Sequence, residues 1–386
     1  MPPIAQRATT FTESVIREMT RIANQYDAIN LAQGFPDFPM PAPMKEAACA
    51  AIQGDINQYA ITWGASAFRL ALAEKYRRWY GMDVDPDREI TVTCGSTEAM
   101  AATFLALINP GDEVIVLEPF YENYGPDAIL AGAKPVFVPL EPPHWRLDPE
   151  RLRRAFSART RAIIVNTPHN PTGRVLTREE ISLIAELCRE HDAWAFTDSP
   201  YEHMVYVGHH HEIAMWPGMR ERTVTISSLS KTYSSTGWRI GWAIAPAAQT
   251  GAIRKVHDFL TVGAPAPLQA AAAVGMAFDA DYYNHFMLGY QERRDVLAAA
   301  LGEAGFRFTV PEGAYYVLAD FSPLSDLNDV EFAKWMVQEI GVATVPGSSF
   351  FSHKEAGAKY VRFAFCKKLE TLERARERLS RLASRV

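Results

Sequence analysis

The chain has 386 residues, of which 48% are hydrophobic and 22% are charged, an ordinary composition for a globular protein that builds its core without disulfides or metals. Its formal net charge of −6 argues against a general nucleic-acid or anionic-membrane surface. The four cysteines are far apart and no apolar run approaches the ~18 residues of a membrane span, so we expect a cytoplasmic protein with reduced thiols and no signal peptide.

Short β-rich segments alternate with helix-like segments from residue 89 to residue 230. In chain order, strands are predicted at 89–94, 113–119, 134–140, 161–168, 193–198 and 223–230, with helices at 97–108, 127–133 and 177–192. The helix at 177 opens with Thr177 and Glu180, the spacing of a capping box. Strands that are separated by helices of this length predict right-handed βαβ units and a largely parallel sheet.

The C-terminal part of the chain has a different pattern. A long helical stretch near 282–304 precedes FRFTVPEGAYYVLADF, a helix at 330–340, the strand YVRFAF and a terminal helix. This order of elements predicts a second, smaller α+β domain.

Polar and aromatic residues follow the predicted strands directly, and in open parallel sheets ligands bind at these carboxyl ends. They are the helix start Gly95–Ser96–Thr97, the aromatics Phe120, Tyr121 and Tyr124, Asn170, Asp198 with Tyr201, and Lys231. Together they predict a site for an anionic, planar, heteroaromatic ligand.

The same strand ends indicate how such a ligand is held. A helix N-terminus after a Gly-Ser-Thr turn offers free N–H groups to a phosphate, and Ser228 and Arg239 add a hydroxyl and a permanent charge. Asp198 can keep a ring nitrogen protonated, and a desolvated Lys231 can form an imine with an aldehyde. These are the protein groups expected around pyridoxal 5′-phosphate (PLP).

Nine segments in a fixed order carry a resemblance to a known family. They are INLAQGFPDFP (29–39), NQYAITWG (57–64), CGSTEAM (94–100), NPGDEVIVLEPFYENY (109–124), NTPHNPTG (166–173), TDSPYEHMVY (197–206), SLSKTYSSTGWRIGW (228–242), PEGAYYVLAD (311–320) and YVRFAF (360–365). The chain resembles fold-type I, class I/II aminotransferases, in the group of kynurenine/glutamine-type and methionine-preferring enzymes. The resemblance runs nearly end to end.

The resemblance implies an α/β fold of the PLP-transferase type I class. A large domain (44–280) would hold a mainly parallel seven-stranded sheet between helices, and both chain ends (1–43 and 281–386) would form a smaller α+β domain. The implied activity is PLP-dependent transamination between an amino acid and a 2-oxo acid by a ping-pong mechanism, in a homodimer.

The resemblance further implies roles around the cofactor ring. Lys231 would form the Schiff base with PLP and move the substrate α-proton, and Asp198 would pair with the ring nitrogen. Tyr201 and Asn170 would bond the cofactor's 3-oxygen, and Tyr121 would stack on the ring.

Other matching residues would hold the phosphate and the substrate. The implied phosphate ligands are Ser96, Thr97, Ser228 and Arg239. Tyr59 would reach the cofactor of the neighbouring subunit. Arg362 would bind the substrate α-carboxylate, helped by Asn170 and the backbone of Gly34.

Some features of the sequence leave the family pattern or stay undecided. Ser199 and Pro200 stand where the family often has glutamate and an aliphatic residue, and Ser235 stands where a small apolar residue is more usual. The run 209–211 of three histidines lacks a second ligand cluster, so we do not expect a metal site there. The sequence does not decide whether the peptide bonds before Pro119 and Pro171 are cis or trans.

The substrate is inferred from the aromatic residues expected at the site, which are Phe35, Tyr59, Trp63, Phe120, Tyr121, Tyr124 and Tyr315. They favour aromatic amino acids, methionine, glutamine or kynurenine. An aspartate aminotransferase, with Arg21 or a partner-subunit residue as the second cation, stays open, as does a cysteine-S-conjugate β-lyase on the same scaffold. A non-enzymatic DNA-binding regulator is disfavoured, since no basic patch is visible.

Overall fold

The computed structural model describes residues 4–9 and 13–383. Its strands are β1 Ile29–Asn30, β2 Ile90–Thr93, β3 Glu113–Glu118, β4 Lys134–Pro139, β5 Thr160–Asn166, β6 Trp194–Asp198, β7 Thr223–Ser228, β8 Gly241–Ile244, β9 Tyr316–Asp320, β10 Val342–Ala343, β11 Val345–Pro346 and β12 Tyr360–Ala364. Within the described residues, no helix is both long and apolar enough to cross a membrane.

The α-helices flank these strands. They are α1 Val15–Gln25, α2 Ala42–Gln53, α3 Ser66–Tyr80, α4 Ser96–Leu107, α5 Tyr124–Leu130, α6 Pro149–Ala155, α7 Arg178–Glu190, α8 Ala247–Thr261, α9 Ala266–Met276, α10 Ala280–Glu303, α11 Asp329–Trp335, α12 Lys354–Gly357 and α13 Leu369–Ala383. Helix α11 continues in one π-helical turn, Met336–Ile340. Helix α7 begins with the predicted capping box of Thr177 and Glu180.

A seven-stranded sheet forms the centre of the molecule. Its spatial order is β2-β8-β7-β6-β5-β3-β4. Strand β8 runs antiparallel to both of its neighbours, and the remaining pairs, from β7 to β4, are parallel. The predicted α/β class and the mainly parallel seven-stranded sheet are therefore confirmed.

Helices cover both faces of this sheet. Because side chains alternate across each strand, neighbouring residues of a strand enter different cores. On β3, Val114 and Val116 share a core with α4, α5 and α8, whereas Ile115 and Leu117 share a second core with α6 and α7. All residues of β3 are buried, which explains why its central residues 114–117 are apolar without alternation.

Strand β8 is missing from the strands that the sequence pattern predicts. Its four residues are too few for a pattern to show. Gly241 starts the strand for a packing reason, since a Cβ atom there would lie 2.4 Å from the carbonyl carbon of Gly95 and 2.5 Å from the backbone nitrogen of Ser96. The glycine thus allows the start of α4 to lie directly against β8.

The two ends of the chain meet in two small sheets. Strand β1 pairs in parallel with β10, so that Ile29 lies opposite Val342, and β11, β12 and β9 form an antiparallel sheet. This arrangement fits the smaller α+β unit that the sequence predicts, while its limits at residues 44 and 280 stay a prediction. The Glu118–Pro119 and Asn170–Pro171 bonds, which the sequence does not decide, are cis.

Candidate active site

A cavity of about 440 Å³ opens at the carboxyl ends of β5, β6 and β7, next to the start of α4. Most of the predicted site residues line it, namely Gly34, Ser96, Thr97, Tyr121, Asn170, Asp198, Tyr201, Ser228, Lys231, Arg239 and Arg362. Tyr59 does not, and its side chain is 84% exposed. Residues from distant parts of the chain therefore meet at one site, as expected for the carboxyl edge of a parallel sheet.

Lys231 follows β7 closely and lines this cavity. Its Nζ donates a hydrogen bond to the carbonyl of Gly34 at 3.1 Å and lies 5.7 Å from the centre of the Tyr315 ring. Burial, together with the nearby charges of Arg239 and Arg362, lowers the pKa of Lys231 to about 8. Because a neutral amine is the form that attacks an aldehyde, this environment prepares Lys231 for imine chemistry.

Asp198 is the last residue of β6, and one of its two carboxylate oxygens accepts a hydrogen bond from a described residue. Its Oδ2 accepts a hydrogen bond from Tyr124 Oη at 2.7 Å, and its backbone carbonyl accepts one from Asn166 Nδ2 at 2.6 Å. Its Oδ1 is buried and has no hydrogen-bond partner among the described residues. Burial raises the pKa of Asp198 to about 6. A cationic ring N–H at Oδ1 would supply the missing partner and favour the carboxylate form.

Two further donors, Asn170 and Tyr201, line the cavity. The hydroxyl of Tyr201 lies 3.0 Å from that of Tyr316. The backbone N–H of Asn170 donates to Asn166 Oδ1 at 2.8 Å, and Asn170 Oδ1 accepts from Arg362 Nη1. The side-chain amide of Asn170 and the hydroxyl of Tyr201 are thus held in place and can donate to an anionic ring oxygen.

The start of α4 lies at one end of the cavity and offers groups that could bind an anion. Helix α4 begins at Ser96, whose neighbour Gly95 has φ of 83°. Ser228 Oγ is buried and has no partner in the described part of the chain. The guanidinium of Arg239 passes over Gly95, since a Cβ atom at this glycine would lie 2.3 Å from Arg239 Nη2. Backbone donors, a hydroxyl and a guanidinium therefore converge where a phosphate would bind.

Arg362 reaches the cavity from β12 of the small sheet and is only 1% exposed. Its Nη1 donates to Asn170 Oδ1 at 2.8 Å and its Nη2 donates to the carbonyl of Ala32 at 3.0 Å. The guanidinium stacks 4.2 Å from the centre of the Tyr316 ring. No carboxylate neutralises this buried charge among the described residues, so the guanidinium can accept an anionic group that enters the cavity.

Several aromatic residues that the sequence assigns to the site lie elsewhere. Phe120 stacks on Phe137 in the core at 5.1 Å, and Trp63 lies under the guanidinium of Arg254. Tyr315 packs behind Gly34, to whose carbonyl it donates a hydrogen bond. The members of that aromatic set which line the cavity are Phe35, Tyr121 and Tyr124.

The cations near the substrate side differ from those that the sequence suggests. Arg21, named there as a possible second cation, forms an exposed ion pair with Glu13 at 2.7 Å and does not line the cavity. Arg17, one turn earlier on α1, does line it, and so does Tyr316. Residues at i and i+4 share a helix face, so the sequence offered no signal that distinguishes Arg17 from Arg21.

The groups around the cavity fit PLP. Asp198 Oδ1 and Ser228 Oγ each lack a partner that the ring nitrogen and the phosphate would provide, and Lys231 has the lowered pKa that imine formation needs. Among the described residues, no group of three His, Cys, Asp or Glu side chains could hold a metal ion.

Comparison with known proteins identifies the family. The family of class I and II aminotransferases matches residues 26–379, so the chain belongs to it and is a PLP-dependent aminotransferase. The fold is similar to that of N-succinyldiaminopimelate aminotransferase from Mycobacterium tuberculosis, with a TM-score of 0.96, 41% identity, and 98% of this chain and 100% of that chain covered. The chain is also 39% identical to methionine aminotransferase of Escherichia coli over 96% of both chains, and 38% identical to human kynurenine–oxoglutarate transaminase 1 over 94% of both.

Replacing Gly95 by alanine is expected to weaken PLP binding ~10-fold or more, because the new methyl group would displace the guanidinium of Arg239 from the phosphate end. Gly111→Ala is a matched control: Gly111 also has a positive φ, of 92°, but a Cβ atom there meets nothing within 4 Å. Equilibrium dialysis of PLP against both variants measures the effect. Equal affinities for the two variants would show that Arg239 is not a phosphate ligand.

Proposed function

We propose that this aminotransferase takes its amino group from a large, uncharged L-amino acid and passes it to a 2-oxo acid. The observation that carries the proposal is the single buried guanidinium, Arg362, in a cavity whose other substrate-side surfaces include Ile16, Phe35 and Tyr121. One buried cation provides for one carboxylate, which every α-amino acid has.

The proposed cofactor contacts follow from the geometry above. Asp198 Oδ1 would take the ring nitrogen, Tyr201 and Asn170 would take the ring oxygen, and Tyr121 would cover one face of the ring. The phosphate would lie among Ser96, Thr97, Ser228 and Arg239. When bound, PLP supplies an aldehyde that accepts the amino group and a ring that withdraws electrons from the substrate Cα.

Lys231 is proposed to move the substrate α-proton. Its hydrogen bond to the Gly34 carbonyl holds Nζ in the cavity, and its lowered pKa makes the neutral amine available near neutral pH. Arg362, with Asn170, would fix the substrate α-carboxylate so that the Cα–H bond faces Nζ. Lys231 would thus move the proton, and Arg362 would orient the substrate.

The side chain of the substrate is less constrained by charge. The cations that line the cavity are Arg17, Lys231, Arg239 and Arg362, and of these only Arg17 has no role above. Arg17 is exposed on α1, at the edge of the cavity. The relatives named for methionine and kynurenine support an uncharged side chain. The relative named for N-succinyldiaminopimelate supports a second candidate, a long substrate whose distal carboxylate would reach Arg17.

Rates of amino transfer from single L-amino acids to a common 2-oxo acid test the proposed substrate class. We expect methionine, phenylalanine, glutamine or kynurenine to exceed aspartate by ~10-fold or more in kcat/KM, because Arg362 is the one buried arginine among the described residues that line the cavity and it is taken by the α-carboxylate. Arg17→Gln should leave these rates unchanged and slow only substrates with a distal carboxylate. Aspartate as the best substrate would contradict the proposal. Release of pyruvate and ammonia without an acceptor would point to β-lyase chemistry instead.

Tyr59 is proposed to contact the cofactor of a second subunit in a homodimer. A tyrosine that is 84% exposed is unusual, and Phe259, at 92%, is exposed as well. Burial of both side chains in a dimer would explain their positions. Sedimentation equilibrium tests the assembly, and a monomer that binds PLP normally would refute it.

We also infer a cytoplasmic location from the four free cysteines, which a thiol titration of freshly isolated protein would test.

A further inference from the structure

A buried carboxyl group at the cavity has no role in the account above. Asp127 lies on α5, is 6% exposed and lines the cavity. Its Oδ2 has no hydrogen-bond partner among the described residues. Tyr124, one turn earlier on the same helix face, donates its hydroxyl to Asp198 Oδ2 at 2.7 Å. Helix α5 therefore presents both a phenol and a carboxyl to the part of the cavity that Asp198 occupies.

A buried carboxyl costs folding free energy that a residue with only a packing role would not need to lose. Burial, and to a lesser extent the charge of Asp198, raises the pKa of Asp127 to about 7. A buried polar group without a partner costs folding free energy, and an asparagine or an apolar residue of similar size would cost less. The unpartnered oxygen thus indicates that Asp127 meets a ligand in the cavity.

We propose that Asp127 faces the ring-nitrogen end of the cofactor and that, with Asp198, it supplies and stabilises the proton on that nitrogen. The proposal rests on the placement of Asp198 at the ring nitrogen. Two neighbouring carboxyls that repel each other's charge share a proton in the protein without cofactor. The pair passes that proton to the ring nitrogen: one O–H bond breaks, one N–H bond forms, and the pair becomes fully ionised opposite a cation.

Of the groups around Asp127, Asp198 has the dominant electrostatic effect on its pKa. Helix α4 faces the cavity near it with Met100, and the carboxylate of Glu98 on the same helix is bonded to His257. Strand β4, which also packs against α5, carries its charge at the exposed Lys134. Among these groups, Asp198 is the charge that acts on the pKa of Asp127.

The test compares Asp127→Asn with Asp192→Asn as a matched control. Asp192 precedes β6 and therefore lies at the edge of the sheet opposite Asp198, where its side chain is 87% exposed. Both variants are loaded with PLP that carries ¹⁵N in the ring, and the ¹⁵N chemical shift is followed with pH. We expect ring deprotonation to move down by roughly one pH unit or more in Asp127→Asn, and not in the control.

Two further readouts separate this role from a structural one. Asp127→Asn without cofactor should unfold at the same temperature as wild type or higher, because a buried unpaired carboxyl is removed. Its affinity for PLP by equilibrium dialysis should fall ~10-fold, the equivalent of one pKa unit, at a pH above 7 at which the ring nitrogen is still protonated in the wild type, and the difference should disappear once the ring is deprotonated in both proteins. A lower unfolding temperature together with an unchanged ring titration would overturn the proposal.

Asp198→Asn in the same titration tests the placement of Asp198 separately from the proposal for Asp127. If Asp198→Asn shifts the ring titration and Asp127→Asn does not, the proposal for Asp127 fails and the placement of Asp198 stands. If neither variant shifts it, the proposed placement of Asp198 fails as well. A shift in both variants, with the control unchanged, supports both.

Discussion

Replacing Lys231 by alanine is expected to lower the rate of amino transfer by at least ~10⁴-fold, because the variant lacks both the amine that engages the cofactor and the base that moves the α-proton. Lys231→Arg keeps a positive charge near the Gly34 carbonyl, yet it should be equally inactive, since a guanidinium is not a base at neutral pH. Stopped-flow absorption of the PLP-loaded variants with a saturating amino acid measures the step. Turnover within 100-fold of wild type in Lys231→Ala would refute the role.

The stability of the protein without cofactor provides a folding control for this variant. The pKa of Lys231 is lowered from 10.5 to about 8, so the folded state binds fewer protons than the unfolded state between these two values. Wild-type stability therefore contains a penalty below pH 8 that is relieved as the pH rises toward 10.5. Lys231→Ala should remove this penalty and be no less stable than wild type at pH 7. Denaturant unfolding at several pH values measures the difference.

Replacing Arg362 by glutamine is expected to lower kcat/KM for an L-amino acid by ~10²–10³-fold. The change removes the buried partner of the α-carboxylate and leaves Asn170 Oδ1 and the Ala32 carbonyl without their donors. Arg362→Lys keeps the charge but cannot reach the carboxylate and Asn170 together, so it should recover only a small part of the activity.

A substrate without a carboxylate separates this effect from a general disturbance of the site. Wild type should strongly prefer phenylalanine to phenethylamine, which has the same side chain but no α-carboxylate. In Arg362→Gln the preference should collapse, because only the carboxylate-bearing substrate loses a partner. A variant that slows both substrates equally would mean that Arg362 is structural, and that its contact with Tyr316 is what matters.

The part of the site that follows the central strands is visible in the sequence. Asp198 is the last residue of β6 and Lys231 follows β7 closely, and the parallel order of these strands brings their ends to one edge. Gly95 and Ser96 mark the start of a helix in the same way. These predictions need only the positions of strand ends, which apolar segments indicate well.

The substrate side of the cavity is harder to predict, because it is assembled from both ends of the chain. Arg362 meets Asn170 across 192 positions, and Arg17 comes from α1, so no local pattern connects them to the cavity. The resemblance supplied Arg362, but no spacing selected Arg17 over Arg21. Asp127 looked like the first residue of a helix at 127–133, whereas α5 begins at Tyr124 and turns Asp127 into the cavity.

The visible absorption of the PLP-loaded protein, recorded before and after one L-amino acid is added without any acceptor, tests the central claim most directly. We expect a yellow band that bleaches to a near-ultraviolet band, with the fastest bleaching for large uncharged amino acids and recovery when a 2-oxo acid is added. A protein that does not take up PLP would contradict the cavity as a cofactor site. A band that no amino acid bleaches would contradict transamination at Lys231.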